Sequence, residues 1–306
     1  MDKIYDVIII GEGPAGLSAA IYSTRAEYST LLIERFGAGG QIVNTYEVDN
    51  YPGLPGISGY DLGTKMSEHV DKFNVERVSA QVSDVLVDGD IKVVNTDAGQ
   101  YKAYAVILAT GNSPRKLEVP GEEELLGCGV SYCATCDGAF FKNKVTAVIG
   151  GGDVAVEDAI FLSRLCTKVY IIHRRDQFRA AKTLRSKLAS IENIEIIFDS
   201  VVTSIGGEDT VTDLSIRNIK TNEVMTLDVS GVFIATGNTP NLPQIDGIEI
   251  DAAGYVVADE MCKTNIPGIF AAGDIRTKRL RQVSTAVADG ANATVSVEDY
   301  FIEISK

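Results

Sequence analysis

Two glycine-rich turns constrain the fold of this chain most strongly. Each turn lies between a short apolar run and a stretch with helical periodicity, in "DVIIIGEGPAGLSAAIY" and in "TAVIGGGDVAVEDAIFL". The small residues have the same spacing in both: Gly11, Gly13 and Gly16 in the first turn, Gly150, Gly152 and Ala155 in the second. Such a turn lets backbone N–H groups at a helix N-terminus approach a pyrophosphate. One copy is weak evidence, but two copies predict a duplicated nucleotide-binding architecture.

The ends of the two units repeat as well. "VILATGNSP" ends at Pro114 and "VFIATGNTP" ends at Pro240, so each strand is followed by Ala-Thr-Gly-Asn and then stopped by a proline. We therefore predict an α/β fold with two Rossmann-like, three-layer ββα domains, the second inserted into the first. Residues 1–114 and 243–306 would form one domain, and residues 115–242 the inserted one.

The residue that meets the adenosine ribose is expected at the end of the second strand of each unit. Glu34 lies 23 residues after Gly11, whereas His173 lies 23 residues after Gly150 and opens "HRRDQFR". A carboxylate binds ribose hydroxyls and repels a 2′-phosphate. Guanidinium groups, supplied here by Arg174, Arg175 and Arg179, bind phosphate bidentately. The first site therefore suits FAD or NAD and the second NADPH, although a solvated basic helix start remains an alternative.

Composition excludes several classes of function. The net charge of −14 disfavours binding to nucleic acid and to anionic membranes. The first apolar run, residues 7–10, is too short for a signal peptide, and no run approaches the roughly 20 residues of a membrane span. Five cysteines, an odd number, do not indicate a secreted disulfide framework. We expect a cytoplasmic protein.

A Cys-x-x-Cys pair, Cys133 and Cys136, lies in "SYCATCDGAFF". A zinc site needs four ligands, and the only histidines are His69 and His173, so no metal is expected. An iron–sulfur cluster has a better pattern, because Cys128, Cys133 and Cys136 have plant-type ferredoxin spacing and Cys166 could be the fourth ligand. Cysteines outside the pair are more often buried as small apolar residues, and Cys128, Cys166 and Cys262 are interpreted in this way.

A redox disulfide is the interpretation we prefer for the pair. Dithiol exchange needs a thiolate and a second thiol within reach, which two intervening residues provide. With no histidine nearby in sequence, Asp137 is the candidate acid/base. Phe140 and Phe141, just downstream, would either contact a protein partner or pack in the core.

The chain resembles the low-molecular-weight, bacterial-type thioredoxin reductases over almost its whole length. The motifs that carry the resemblance follow the family's order: "GGQIVNTYEVDNYPG" (39–53), "CATCDG" (133–138), "HRRDQFR", "AAGD" (271–274) and "RQV" (281–283). The cysteine hexapeptide and the His-Arg-Arg motif are specific to the family. The glycine turns and the Ala-Thr-Gly exits are shared by many flavoproteins.

This resemblance implies a thioredoxin-disulfide reductase in which electrons pass from NADPH through FAD and a Cys133–Cys136 disulfide to oxidised thioredoxin. It also implies a homodimer, with Cys136 facing the flavin and Cys133 attacking the protein substrate. The implied FAD residues are Gly11, Gly13, Pro14, Ala15, Gly16, Glu34, Gln41, Asn50, Asp274, Arg281, Gln282 and Val283. The implied NADPH residues are Gly150, Gly152, Asp153, Ala155, His173, Arg174, Arg175 and Arg179.

Related functions remain as alternatives. A flavin dithiol oxidase or a ferredoxin-driven relative would not need the basic NADPH cluster, and a non-catalytic flavin sensor would not need the cysteine pair. The reductase component of an alkyl hydroperoxide (peroxiredoxin) system is a further alternative. One residue departs from the family pattern: Glu12 lies inside the first turn, where a carboxylate that does not point to solvent would disfavour a pyrophosphate.

Overall fold

The computed structural model describes residues 3–45, 48 and 50–304, apart from the side chains of Asn44 and Cys136. The chain divides into two compact units. The first unit comprises Met1–Ser113 and Thr239–Lys306, and the second, Pro114–Asn238, is inserted between these two pieces.

The insertion ends at Asn238 and not at the predicted residue 242. Asn241 already belongs to the first unit, because its backbone N–H donates to the carbonyl of Gly111 at 3.0 Å. Its side-chain amide donates to the carbonyl of Thr110 at 3.1 Å. The proline exit marks the end of a strand correctly, but these hydrogen bonds determine where the unit ends.

The strands of the described chain are β1 (Ile4–Ile10), β2 (Thr30–Glu34), β3 (Glu76–Ser79), β4 (Val82–Asp88), β5 (Ile91–Thr96), β6 (Gly99–Leu108), β7 (Asn112–Pro114), β8 (Val130–Ser131), β9 (Val145–Gly150), β10 (Lys168–Ile172), β11 (Ile194–Ile197), β12 (Ser200–Gly206), β13 (Asp213–Asn218), β14 (Val224–Asp228), β15 (Gly231–Ala235), β16 (Asn238–Pro240) and β17 (Ile269–Ala271). The α-helices are α1 (Pro14–Arg25), α2 (Gly59–Asp71), α3 (Ala134–Asp137), α4 (Asp153–Leu162), α5 (Lys182–Leu188) and α6 (Val283–Ile304). Short 3-10 helices span Gly40–Asn44, Gly138–Phe141 and Gly273–Ile275.

The first unit is built on a seven-stranded sheet of order β3-β2-β1-β6-β5-β4, with β17 also paired to β6. Strands β1, β2, β3, β6 and β17 are parallel, and β4, β5 and β6 are antiparallel. Val7 and Ile9 join a core with α1 and α6, whereas Ile8 and Ile10 join a core with β4 and β5. Both faces of β1 are therefore covered, which explains its unbroken apolar run.

The second unit repeats this plan. Its parallel sheet has the order β11-β10-β9-β15-β8, and β12-β13-β14 form an antiparallel sheet. Val148 packs with α4, and its neighbours Ala147 and Ile149 pack with the antiparallel strands. The prediction of two Rossmann-like domains, one inserted into the other, is confirmed. No helix in the described ranges is long and apolar enough to cross a membrane.

Candidate active site

The candidate redox centre lies where β8 leads into α3. Cys133, between these elements, is disulfide-bonded. The backbone of Cys136 lies in α3, and its side chain lies outside the described part of the structure, so its assignment remains a prediction. Cys166 and Cys262 are free and buried, as expected from the sequence.

The expectation that Cys128 is also buried is wrong, because this free cysteine is exposed. It lies between Gly127 and Gly129, whose backbone φ angles of 77° and 122° are in the left-handed region. Glycine adopts such positive φ angles without a steric penalty because it has no Cβ. The turn carries the Cys128 side chain to the surface, which no local apolar pattern reveals.

Ser131, at the end of β8, connects Cys133 to Asp137. Its Oγ donates a hydrogen bond to Asp137 Oδ2 at 2.6 Å and accepts one from the backbone N–H of Cys133 at 3.0 Å. The N–H of Asp137 donates in turn to the carbonyl of Cys133 at 3.2 Å. The candidate acid/base is therefore held beside the redox cysteine by a buried serine that sequence reasoning missed.

A second anchor holds the residue next to Cys133. The buried carboxylate of Glu122 accepts from Tyr132 Oη at 2.7 Å and from the N–H groups of Leu117 and Glu118 at 2.8 and 2.6 Å. Burial raises the pKa of Tyr132, and its hydrogen bond to Glu122 and the nearby negative charge raise it further. Tyr132 therefore remains a neutral donor, and it ties the redox loop to the segment that enters the inserted unit.

The two phenylalanines after the cysteine pair behave differently. Phe141 is buried and packs edge-to-face on Phe233, with ring centroids 5.3 Å apart. Phe140 is 75% exposed. Core packing is therefore the role of Phe141, and of the two only Phe140 is available to a partner.

The first glycine turn is closed tightly around backbone atoms. Gly11 has φ +106°, and a Cβ at this position would lie 2.4 Å from the carbonyl oxygen of Ala109. A Cβ on Gly16 would lie 1.8 Å from the oxygen of Gly11. Helix α1 then starts with Pro14 after Gly13, and no described side chain caps it. The first N–H groups of the helix can therefore be satisfied by an anion.

Glu34 lies at the end of β2, directly against this turn. Its Oε2 accepts from the N–H of Glu12, and its Oε1 accepts from the N–H groups of Arg35 and Phe36, all at 2.8 Å. A carboxylate has roughly four acceptor positions, so one remains for a ribose hydroxyl. The predicted role of Glu34 fits this geometry and remains a prediction.

The second turn is equally tight, and the ring of His173, which follows β10, lies against it. The imidazole is buried and stacks on Phe178 with centroids 5.7 Å apart, and a Cβ on Gly151 would overlap it. Burial lowers the pKa of His173, and the neighbouring arginines lower it further. The ring packs against the turn, whereas Arg174, Arg175 and Arg179 are exposed.

The backbone attaches part of the basic segment to the second turn. The N–H of Arg179 donates to the carbonyl of Gly151 at 2.8 Å. Asp153, at the start of α4, accepts from the N–H of Ala181 at 2.7 Å. The arginines of the predicted phosphate cluster are therefore exposed, whereas His173 is buried, and the binding role of the cluster remains a prediction.

The comparisons with known proteins agree with one another. The family model for pyridine nucleotide-disulphide oxidoreductases matches residues 5–290. A thioredoxin reductase of Peptoclostridium litorale is 46% identical over 312 residues, which cover 99% of this chain and 99% of the relative. The chain belongs to this family, in its thioredoxin reductase branch.

Solved structures of the same branch match the fold. The thioredoxin reductase of Lactococcus lactis has a TM-score of 0.82 at 45% identity, with 98% of this chain and 99% of that chain covered. The enzyme of Streptococcus pyogenes has a TM-score of 0.77 at 46% identity, covering 99% and 100%. The predicted resemblance is confirmed, and the protein is an oxidoreductase.

Membership of this family implies a flavin and a nicotinamide cofactor, and side chains of the first unit fit a flavin dinucleotide. Asp274 Oδ1 is buried, and no hydrogen-bond partner for it is found in the described residues. Burial raises the pKa of Asp274, while Lys278 and Arg281 oppose this shift. An acceptor left open in this way suits the hydroxyl groups of a polyol chain such as ribityl.

The residues around Asp274 are held in place by hydrogen bonds to the carboxylate of Asp289. Asp289 accepts from the N–H of Gly273 at 2.9 Å, from Arg276 through two bonds of 2.9 Å, and from Lys278 at 2.7 Å. Three of the other predicted flavin residues take part in hydrogen bonds between side chains. Asn50 donates to Gln282 Oε1 at 2.9 Å, and Gln41 donates to Asn112 Oδ1 at 2.8 Å.

Proposed function

We propose that this protein is a thioredoxin-disulfide reductase that uses FAD and NADPH. The observation that carries the proposal is the disulfide-bonded Cys133 with Asp137 held beside it by Ser131. Relatives that are 45–46% identical over nearly the whole chain are named thioredoxin reductases. A structural disulfide would not need a carboxylate fixed next to it.

The cysteine pair would carry out thiol–disulfide exchange. The thiolate of reduced Cys133 attacks one sulfur of the thioredoxin disulfide, so that a mixed disulfide forms and the other thioredoxin sulfur leaves as a thiolate. Cys136 then attacks the sulfur of Cys133, which regenerates the Cys133–Cys136 disulfide and releases dithiol thioredoxin. Two electrons pass to the substrate in this exchange. Asp137 would move the protons as the thiols form and are consumed.

The cofactors would divide between the two units. FAD, when bound, would supply the two-electron chemistry that couples NADPH oxidation to opening of the disulfide. In the first unit, the turn at Gly11, the carboxylate of Glu34 and the open acceptor of Asp274 would hold the FAD. In the inserted unit, the exposed arginines at 174, 175 and 179 would bind the 2′-phosphate of NADPH, because guanidinium groups match phosphate geometry. We further propose a homodimer in the cytoplasm.

Turnover of thioredoxin tests this function. The purified protein is assayed with NADPH, with NADH, and with NADPH after Cys133→Ser or Cys136→Ser. Cys128→Ser is the matched control, because it removes an exposed thiol that lies close in sequence to the pair. We expect turnover with NADPH in the wild type and in the control, and none in the two other variants. Undiminished turnover in Cys133→Ser would refute the relay, whereas flavin reduction without thioredoxin reduction would refute only the partner.

A further inference from the structure

Glu12 lies inside the first glycine turn but does not point to solvent. The residue is 5% exposed, and its Oε1 lies 2.7 Å from Arg77 Nη1. From the sequence, a carboxylate at this position was expected to disfavour pyrophosphate binding unless it pointed to solvent. The structure shows another solution, an ion pair between the turn and strand β3 in which the glutamate is buried and the arginine is half-buried.

Arg77 is fixed from a second direction. Its Nη2 lies 2.8 Å from Asp71 Oδ1 at the end of α2. Its two terminal nitrogens also donate to Oγ and to the carbonyl oxygen of Ser67, at 2.9 and 3.2 Å. The guanidinium is therefore held between helix α2 and the turn, so that it cannot swing away from Glu12 without breaking other contacts.

The charges around the turn are unbalanced without this arginine. Burial raises the pKa of Glu12, the positive charge of Arg77 opposes that shift, and the charges of Glu34 and Asp71 add to it. Two further carboxylates thus act on Glu12, and Arg77 is in direct contact with Glu12 and Asp71. A bound diphosphate would bring further negative charge to the same turn.

We infer that Arg77 is the charge-compensating residue of the flavin-binding turn, which makes a carboxylate at position 12 compatible with the diphosphate of FAD. The inference rests on the proposed function, since it takes FAD to be the ligand of the first unit. Arg77 acts through Glu12 and is a positioning residue. Affinity for FAD should therefore depend on the pair, so that loss of the arginine is harmful only while the glutamate remains.

A double-mutant cycle tests this dependence through FAD binding and not through turnover. Glu12→Gln, Arg77→Met and the double variant are purified with FAD, and the dissociation of flavin on dilution is followed by its fluorescence. Arg77→Met should lose FAD at least about tenfold more readily than the wild type, because a buried carboxylate beside the diphosphate is left unpaired. The double variant should return to within about threefold of the wild type, since no buried charge is then left unpaired. Arg25→Met, which removes an exposed cation at the end of α1, is the matched control and should retain wild-type binding.

Each outcome decides the inference. A double variant as weak as Arg77→Met would show that Arg77 acts only through its contacts with Ser67 and Asp71, and would overturn the inference. Wild-type binding in Arg77→Met would overturn it as well. If Arg77→Met fails to fold, Glu12→Gln is decisive alone: retention of FAD at least as firm as in the wild type supports the inference, and faster loss contradicts it. Failure of the wild type to hold FAD would instead refute the proposed function, and the inference with it.

Discussion

Ser131 Oγ lies 2.6 Å from Asp137 Oδ2, and the same oxygen accepts a hydrogen bond from the backbone N–H of Cys133 at 3.0 Å. One hydroxyl group thus joins the candidate acid/base to the redox cysteine. A donor in this position keeps the carboxylate oriented toward the loop. Substitution at Ser131 should therefore affect the chemical steps more than cofactor binding.

Ser131→Ala should lower kcat for thioredoxin reduction about tenfold or more, because a hydrogen bond to a charged group contributes about 1.5–3 kcal/mol. Ser131→Thr, which keeps the hydroxyl, should restore most of the rate. Flavin content should be unchanged in both. The control is Ser190→Ala, a serine of the same unit whose hydroxyl donates to the nearby carbonyl of Lys187. A wild-type kcat in Ser131→Ala would show that Asp137 needs no such support.

Tyr132→Phe should destabilise the inserted unit by about 1–3 kcal/mol, because it removes one of the three donors that satisfy a buried carboxylate. Glu122→Ala should destabilise the unit more, since it leaves the half-buried hydroxyl of Tyr132 and two backbone N–H groups without that acceptor. Urea denaturation followed by circular dichroism measures both changes. The double variant should cost less than the sum of the two single changes if the bond is real.

Removal of the exposed arginines should change the choice of nicotinamide. Arg174→Ala, Arg175→Ala and Arg179→Ala should each raise KM for NADPH about tenfold and leave KM for NADH nearly unchanged, because only NADPH carries the 2′-phosphate. Arg217→Ala, an exposed arginine on β13 of the same unit, serves as the control. An equal rise in KM for NADPH and NADH would mean that the segment supports the fold and does not bind the 2′-phosphate.

Lys92 should make stability depend on pH at the alkaline end. Its ammonium is buried and bonds to Tyr300 Oη at 2.8 Å, and burial lowers its pKa below the ordinary value of 10.5, with Asp90 opposing the shift. Between the lowered pKa and 10.5, the unfolded chain binds more protons than the folded one, so stability rises with pH. Lys92→Met should lack this rise, whereas Lys72→Met, at an exposed position, should keep it. Parallel slopes for wild type and Lys92→Met in urea titrations at increasing pH would contradict this assignment.

Much of the fold could be predicted from sequence because its signals are local. The glycine turns, the apolar strands before them and the proline exits each lie within a few residues, and their duplication indicated both domains. The Cys-x-x-Cys motif is local as well, and its redox role remains a prediction. The insertion limit was less accurate, since it depends on hydrogen bonds from Asn241 to residues far away in the chain.

The supporting residues could not be predicted, because their partners are distant in sequence or lack a pattern. Arg77 meets Glu12 only after β3 has paired beside β2. Glu122 and Ser131 are ordinary polar residues until the fold buries them. The spacing of the basic motif likewise could not show that the ring of His173 is buried against Gly151, because that packing forms only in the folded unit.

An anaerobic reductive titration of the FAD-loaded protein tests the central claim most directly, because it counts the electrons that reach the disulfide. Flavin and disulfide are each two-electron couples, so the wild type should consume about two equivalents of dithionite per protomer before the flavin is fully reduced. Cys133→Ser should consume about one equivalent, and Cys128→Ser should behave as the wild type. If the wild type and Cys133→Ser consume the same amount, the disulfide takes no electrons from the flavin and the proposed relay is wrong.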